Sequence, residues 1–92
     1  MKKCMEATIS GRVQLVMFRD FAKRKARAHG LTGFVQNKKD GTVYVLAEGE
    51  EENLKKFLTR LHRGPILAEV TNVEVVYQEP TSKYTDFSIL YD

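Results

Sequence analysis

A chain of 92 residues with 42% hydrophobic and 29% charged side chains has the composition of an ordinary globular domain with room for one modest core. No apolar run approaches the ~20 residues of a membrane-spanning helix, the start "MKKCMEATIS" lacks the apolar stretch and small-residue cleavage site of a signal peptide, and the single cysteine, Cys4, excludes an internal disulfide and suits a reducing, cytoplasmic compartment. The net charge of +3 admits anionic ligands but is too small to imply a nucleic-acid partner.

One domain covering residues 1–92 is expected. Met5, Ala7, Ile9, Gly11 and Val13 alternate with Glu6, Thr8, Ser10 and Arg12, which predicts a half-buried strand over 5–13. Gly11 reads as a bulge position and Arg12 as a solvated charge. Helical spacing follows over 20–29, with Phe18, Phe21, Ala22 and Ala26 as the buried stripe. The basic run Lys23–Arg27 is read as a solvated helix face. His29 falls in the last turn, where a protonated imidazole suits the dipole, and Gly30 is the stop. Residues 32–49 form a predicted hairpin: Phe34 and Val35 begin its first arm, Phe34 as a core residue, and Asp40-Gly41 supplies the turn. Val43, Val45 and Ala47 make the inner face of the returning strand. In "EEENLKKFLTRLHRG", Leu54, Phe57, Leu58 and Leu61 mark a second helix, acidic at its start, basic at its end and terminated by Gly64 and Pro65. Val73, Val75 and Tyr77 alternate in a fourth strand; Phe87, Ile89 and Tyr91 alternate in a fifth.

The order βαββαβ plus a fifth edge strand is that of an α+β, ferredoxin-like two-layer sandwich: two helices on one face of a mixed antiparallel sheet, the other face largely solvated. That fold hosts many functions. It does fix one distance. The crossover helix makes strands 1 and 2 parallel, with the third strand between them, so their C-terminal ends lie roughly 10 Å apart at one end of the sheet. Arg19, in the loop after strand 1, and Asn37, at the end of strand 2, face a small ligand across that gap.

The stretch "GRVQLVMFRD" contains no serine, cysteine or histidine to act as a nucleophile. Cys4 does not fill the role: a cysteine phosphatase loop needs an arginine six residues on, where this chain has Ser10, and Cys4 precedes a strand. His29 and His62 both fall at helix C-termini and have no metal-ligand spacing.

"GRVQLVMFR" followed by "GLTGFVQNKKDGTVYVLAEG", with "RGPILAEVTNVEV" and "DFSILY" later, resembles the acylphosphatase family over about residues 6–91. The resemblance implies hydrolysis of acyl phosphates to a carboxylate and inorganic phosphate, with no metal or cofactor, by a monomer acting on a small molecule. It implies that Arg19 and backbone N–H groups of the loop Gln14, Leu15, Val16, Met17 and Phe18 bind the phosphoryl group, and that Asn37 orients the attacking water. The chemistry is coherent: N–H groups in a loop that opens a helix cradle an anion, arginine presents a planar charged fork, and an acyl phosphate already carries a good leaving group. Water from outside the chain is then the nucleophile. From the residues alone, Asn37 also reads as a turn residue before "KKDG".

Two features complicate the match. Leu15 stands where the family pattern has its second glycine; if that position needs φ > 0, leucine costs ~1–2 kcal/mol or the loop adopts another shape. Asp20 either caps the helix or weakens the local positive potential. Leu15 therefore leaves open a catalytically weak or inactive anion-binding module. A nucleic-acid module is disfavoured, because the third strand "TVYVLAEG" offers only Tyr44 as a stacking platform.

Overall fold

In the computed structural model, which describes residues 1–91, the alternating apolar residues build one five-stranded sheet. The elements are β1 (Lys2–Arg12), α1 (Phe18–Ala28), β2 (Thr32–Asn37), β3 (Val43–Glu50), α2 (Glu51–Arg63), β4 (Glu69–Gln78) and β5 (Phe87–Leu90). The strand order is β4-β1-β3-β2-β5. β1 runs antiparallel to both β3 and β4, β2 antiparallel to β3, and β2 parallel to β5. This is the expected ferredoxin-like α+β sandwich with an added edge strand. Ile9 and Asn37 both pair with Val43, one from each side, so β1 and β2 end together at the same end of the sheet.

Period-2 alternation decides which side chains meet the helices. Met5, Ala7 and Ile9 of β1, Val35 of β2, and Val43, Val45 and Ala47 of β3 are all fully buried. They pack against Phe18, Ala22 and Ala26 of α1 and Leu54, Phe57 and Leu61 of α2, with Phe87 closing the β5 side. Phe57 and Phe87 meet edge-on at 6.0 Å between centroids. Leu58, at the margin of the α2 stripe, is partly buried.

Several boundaries differ from the sequence expectation. β1 begins at Lys2, so Cys4 lies within the strand and is buried. α1 begins at Phe18, two residues earlier than its spacing predicts, because Phe18 shares the buried face with Phe21 and anchors the first turn. Phe34 is not part of the helix-side core: Val35 takes the inward position, so its neighbour faces the opposite side of the sheet. Tyr91 lies just beyond β5 rather than within it, and is 71% exposed.

The opposite face is also less solvated than its polar residues imply. Phe34 packs on Tyr44 and on Tyr84 of the 79–86 segment, at 5.7 and 5.8 Å. Glu48 is 5% exposed there. Its carboxylate accepts hydrogen bonds from the backbone N–H and hydroxyl of Thr81 and the backbone N–H of Ser82, strapping that segment across the sheet. Burial alone pushes the Glu48 pKa up, but these donors outweigh it and hold the carboxyl below its ordinary value. The neighbouring Cys4 thiol is pushed up to about 11 by burial first and by Glu48 second. Tyr44 donates to Glu6, which also accepts from Gln78.

At the other end, pairing of β1 with β4 shifts register between Ser10 and Gly11, the irregularity expected at Gly11. Gly11 has φ +121°, and a Cβ there would stand 2.1 Å from the Glu69 carbonyl oxygen. The close approach of the two backbones at this point admits only glycine, and just past it β1 ends and the chain turns into the loop of 13–17.

Candidate active site

The loop is pinned at both ends by burial. Val13 and Phe18 are 1% exposed, and Val16 between them packs against the core. The intervening residues are thrown outward on left-handed backbone, Leu15 at φ +61° and Met17 at φ +66°. Position 15 therefore does require the conformation that glycine adopts freely, and leucine adopts it here at a cost of about 1–2 kcal/mol. Left-handed residues interleaved in a short loop are the kind of backbone that turns successive N–H groups into an anion-binding concavity. Met17 is the N-cap of α1 and makes no side-chain cap bond, so the positive end of the helix opens onto the loop without a capping side chain.

A cavity of about 440 Å³ opens here, lined by Leu15, Met17, Arg19, Lys23, Asn37 and Tyr91 among others. The structure thus brings Arg19 and Asn37, which are distant in sequence, to one cavity. The Oδ1 of Asn37 is buried and has no hydrogen-bond partner among the described residues. A buried acceptor left unpaired costs about 1–3 kcal/mol. The Arg19 guanidinium has no carboxylate partner among the described residues and lies over the Tyr91 ring, 5.0 Å from its centroid. Lys23, one helical turn after Arg19, adds a second positive charge to the cavity wall.

Asp20 does not cap the helix. It lies within the first turn, and its carboxylate accepts from Arg24 Nε at 3.0 Å, four residues on. Arg24 thereby offsets the negative charge that Asp20 brings near Arg19.

Among the expected loop residues, Leu15, Met17, Phe18 and Arg19 line the cavity. Gln14 and Val16 are not among the lining side chains. Gln14 turns the other way and donates from Nε2 to the carbonyls of Lys38 (2.7 Å) and Thr42 (2.8 Å), tying the loop to the β2–β3 hairpin. The hairpin tip is itself closed by Asp40 Oδ1, which accepts from the Thr42 backbone and hydroxyl. Neither His29 nor His62 lines the cavity. His29 caps α1, but burial and then the cations Arg60, Lys56 and Lys25 lower its pKa, so its neutral form is favoured rather than the protonated cap expected. Among the described residues, no three His, Cys, Asp or Glu side chains gather as a metal-ligand set.

Three lining residues carried no weight in the sequence reading. Lys23 was legible in principle, being four residues from Arg19 and so on the same helix face. Ile89 and Tyr91 were not, because their placement depends on β5 running parallel to β2: Gln36 pairs with Leu90, which sets Tyr91 at the same end of the sheet as Asn37.

Comparison with known proteins identifies the family of the chain. Residues 5–89 match the family model described as Acylphosphatase. A Dehalococcoides mccartyi protein named acylphosphatase is 45% identical over 89 residues, covering 96% of this chain and 98% of that protein. An Archaeoglobus fulgidus acylphosphatase is 46% identical over 87 residues, covering 95% and 97%. The crystal structure of acylphosphatase from Bacillus subtilis superposes with a TM-score of 0.93 at 35% identity, covering 99% of this chain and 100% of that one. A shared fold and near-full-length similarity converge on one conclusion: this chain belongs to the acylphosphatase family.

Proposed function

We propose that this chain is an acylphosphatase that hydrolyses small acyl phosphates to a carboxylate and inorganic phosphate, with Arg19 and Asn37 as its catalytic residues. Arg19 and the backbone N–H groups of Gln14 to Phe18 bind the phosphoryl oxygens, where charge is spread in the transition state. The Asn37 carboxamide hydrogen-bonds the attacking water and holds it in line with the scissile bond. The water oxygen bonds to phosphorus, the bond from phosphorus to the acyl oxygen breaks, and the electron pair leaves on the carboxylate. The proton of the attacking water passes to the phosphate itself, so no side-chain base is required.

The observation that carries this reading is that Arg19 and Asn37, distant in sequence, line one cavity at the end of the sheet. Leu15, the residue that raised a binding-only module, leaves its side chain at the rim, 96% exposed, and no observation favours that alternative. The same reading makes the chain a monomeric cytoplasmic enzyme without a nucleic-acid partner, supported by its small net charge and its single, buried cysteine.

The test is hydrolysis of benzoyl phosphate without added metal. Arg19→Ala is expected to lose phosphate binding and turnover together. Asn37→Ala is expected to lose turnover by at least ~10²-fold while phosphate still binds. Turnover at the parental rate by the Asn37 variant rejects its role.

A further inference from the structure

Two side chains in the cavity take no part in that hydrolysis. Leu15 and Met17 are 96% and 68% exposed, and both line the cavity that holds Arg19 and Asn37. Both sit on left-handed backbone, where a large side chain is disfavoured. Two large apolar groups held in solvent on strained backbone contribute nothing to the core. Outliers of this kind gather at ligand sites, and adjacent exposed apolar side chains mark binding surfaces. Ile89 and the Tyr91 ring add apolar wall to the same cavity. The cavity is thus divided: Arg19, Asp20, Lys23 and Asn37 supply its polar part, and Leu15 and Met17 supply an apolar rim.

We infer that Leu15 and Met17 form a subsite for the acyl group, and that the chain selects acyl phosphates with aromatic or bulky apolar acyl groups over acetyl phosphate. This rests on the hydrolytic reading above. In-line attack puts the leaving carboxylate on the side of phosphorus opposite the water, away from Asn37 and out past the side chains of the loop that holds the phosphoryl group. An apolar acyl group leaving by that route covers Leu15 and Met17 and removes them from water; an acetyl group is too short to do so.

The experiment measures kcat and KM for benzoyl phosphate and acetyl phosphate on the parent, Leu15→Gly, Met17→Asn and Ile66→Ser. Glycine and asparagine both tolerate positive φ, so the loop keeps its shape. Ile66, 98% exposed and outside the cavity, is the control. The parent is expected to favour benzoyl phosphate in kcat/KM. Leu15→Gly and Met17→Asn are each expected to lower the benzoyl-to-acetyl ratio several-fold, to about tenfold, mainly through the benzoyl phosphate KM. Ile66→Ser is expected to leave it unchanged. A ratio unmoved by both loop variants while acetyl phosphate is still turned over, or moved equally by Ile66→Ser, overturns the subsite and leaves the hydrolytic reading standing. Failure of the parent to hydrolyse either compound overturns both.

Discussion

Leucine at φ +61° loses about 1–2 kcal/mol to steric contact with its own backbone, whereas glycine there loses about 0.5–1 kcal/mol to the entropy of the unfolded chain. Leu15→Gly is therefore expected to be neutral to stabilising by up to ~1 kcal/mol, a rise of a few degrees in Tm by thermal melt. Leu15→Val, β-branched at the same φ, is expected to melt lower than the parent. The reverse case is Gly33 in the middle of β2. Its φ is +136°, and a Cβ would stand 1.9 Å from the Leu46 carbonyl oxygen. Gly33→Ala is expected to destabilise by more than ~2 kcal/mol, measured by urea titration. At this scale the sequence was half legible. Arg19 and Asn37 stood out through their motifs, and Leu15 stood out because a glycine was expected. Nothing in the sequence announces that Met17 shares the same left-handed backbone, because its conformation is imposed by the burial of Val16 and Phe18 on either side.

The elements themselves were legible from periodicity, since helix and strand each bury one face. Leu54, Phe57 and Leu61 of α2 are fully buried, as their spacing requires. Phe57→Ala removes a ring enclosed by the core and is expected to cost ~3–5 kcal/mol, with the benzoyl phosphate KM unchanged in whatever fraction stays folded. What periodicity does not report is which loop crosses which face. Alternation places Glu48 on the face opposite the helices, which reads as largely solvated, and leaves Cys4 just before the expected strand. The 79–86 segment buries Glu48 by exchanging backbone donors for water. Gln14 is a second case. Its partners, the carbonyls of Lys38 and Thr42, lie 24 and 28 residues away. Gln14→Ala breaks both bonds and is expected to cost ~1–3 kcal/mol and to lower kcat, checked by a melt and a turnover assay on the same preparation.

Over the whole molecule, the ionisable groups with shifted pKa values set a pH window. The Glu48 carboxyl lies below its ordinary value, so the unfolded chain takes up the proton first as pH falls, and stability is lost below about 4.3. His29 is also shifted down, by burial and neighbouring cations, so its contribution is lost from about pH 6.5 downward. The Cys4 thiol, raised to about 11, acts in the other direction and removes stability as pH climbs past its ordinary value of about 8.5. Tm is expected to peak between these limits, with Glu48→Gln flattening the acid limb and His29→Gln flattening the portion below 6.5. A Tm that is level from pH 7 to 3.5 in the parent refutes the assignment.

The two hydrogen bonds from Gln14 also set the terms on which this enzyme tolerates change in length. A hairpin tip normally absorbs extra residues cheaply, because loop-closure entropy grows slowly and tips face solvent. Here the tip carbonyls are the anchor points of the loop of residues 13–17. An insertion between Lys38 and Thr42, harmless to the sheet, is expected to move the mooring of residues 13–17 and so to slow turnover from a distance.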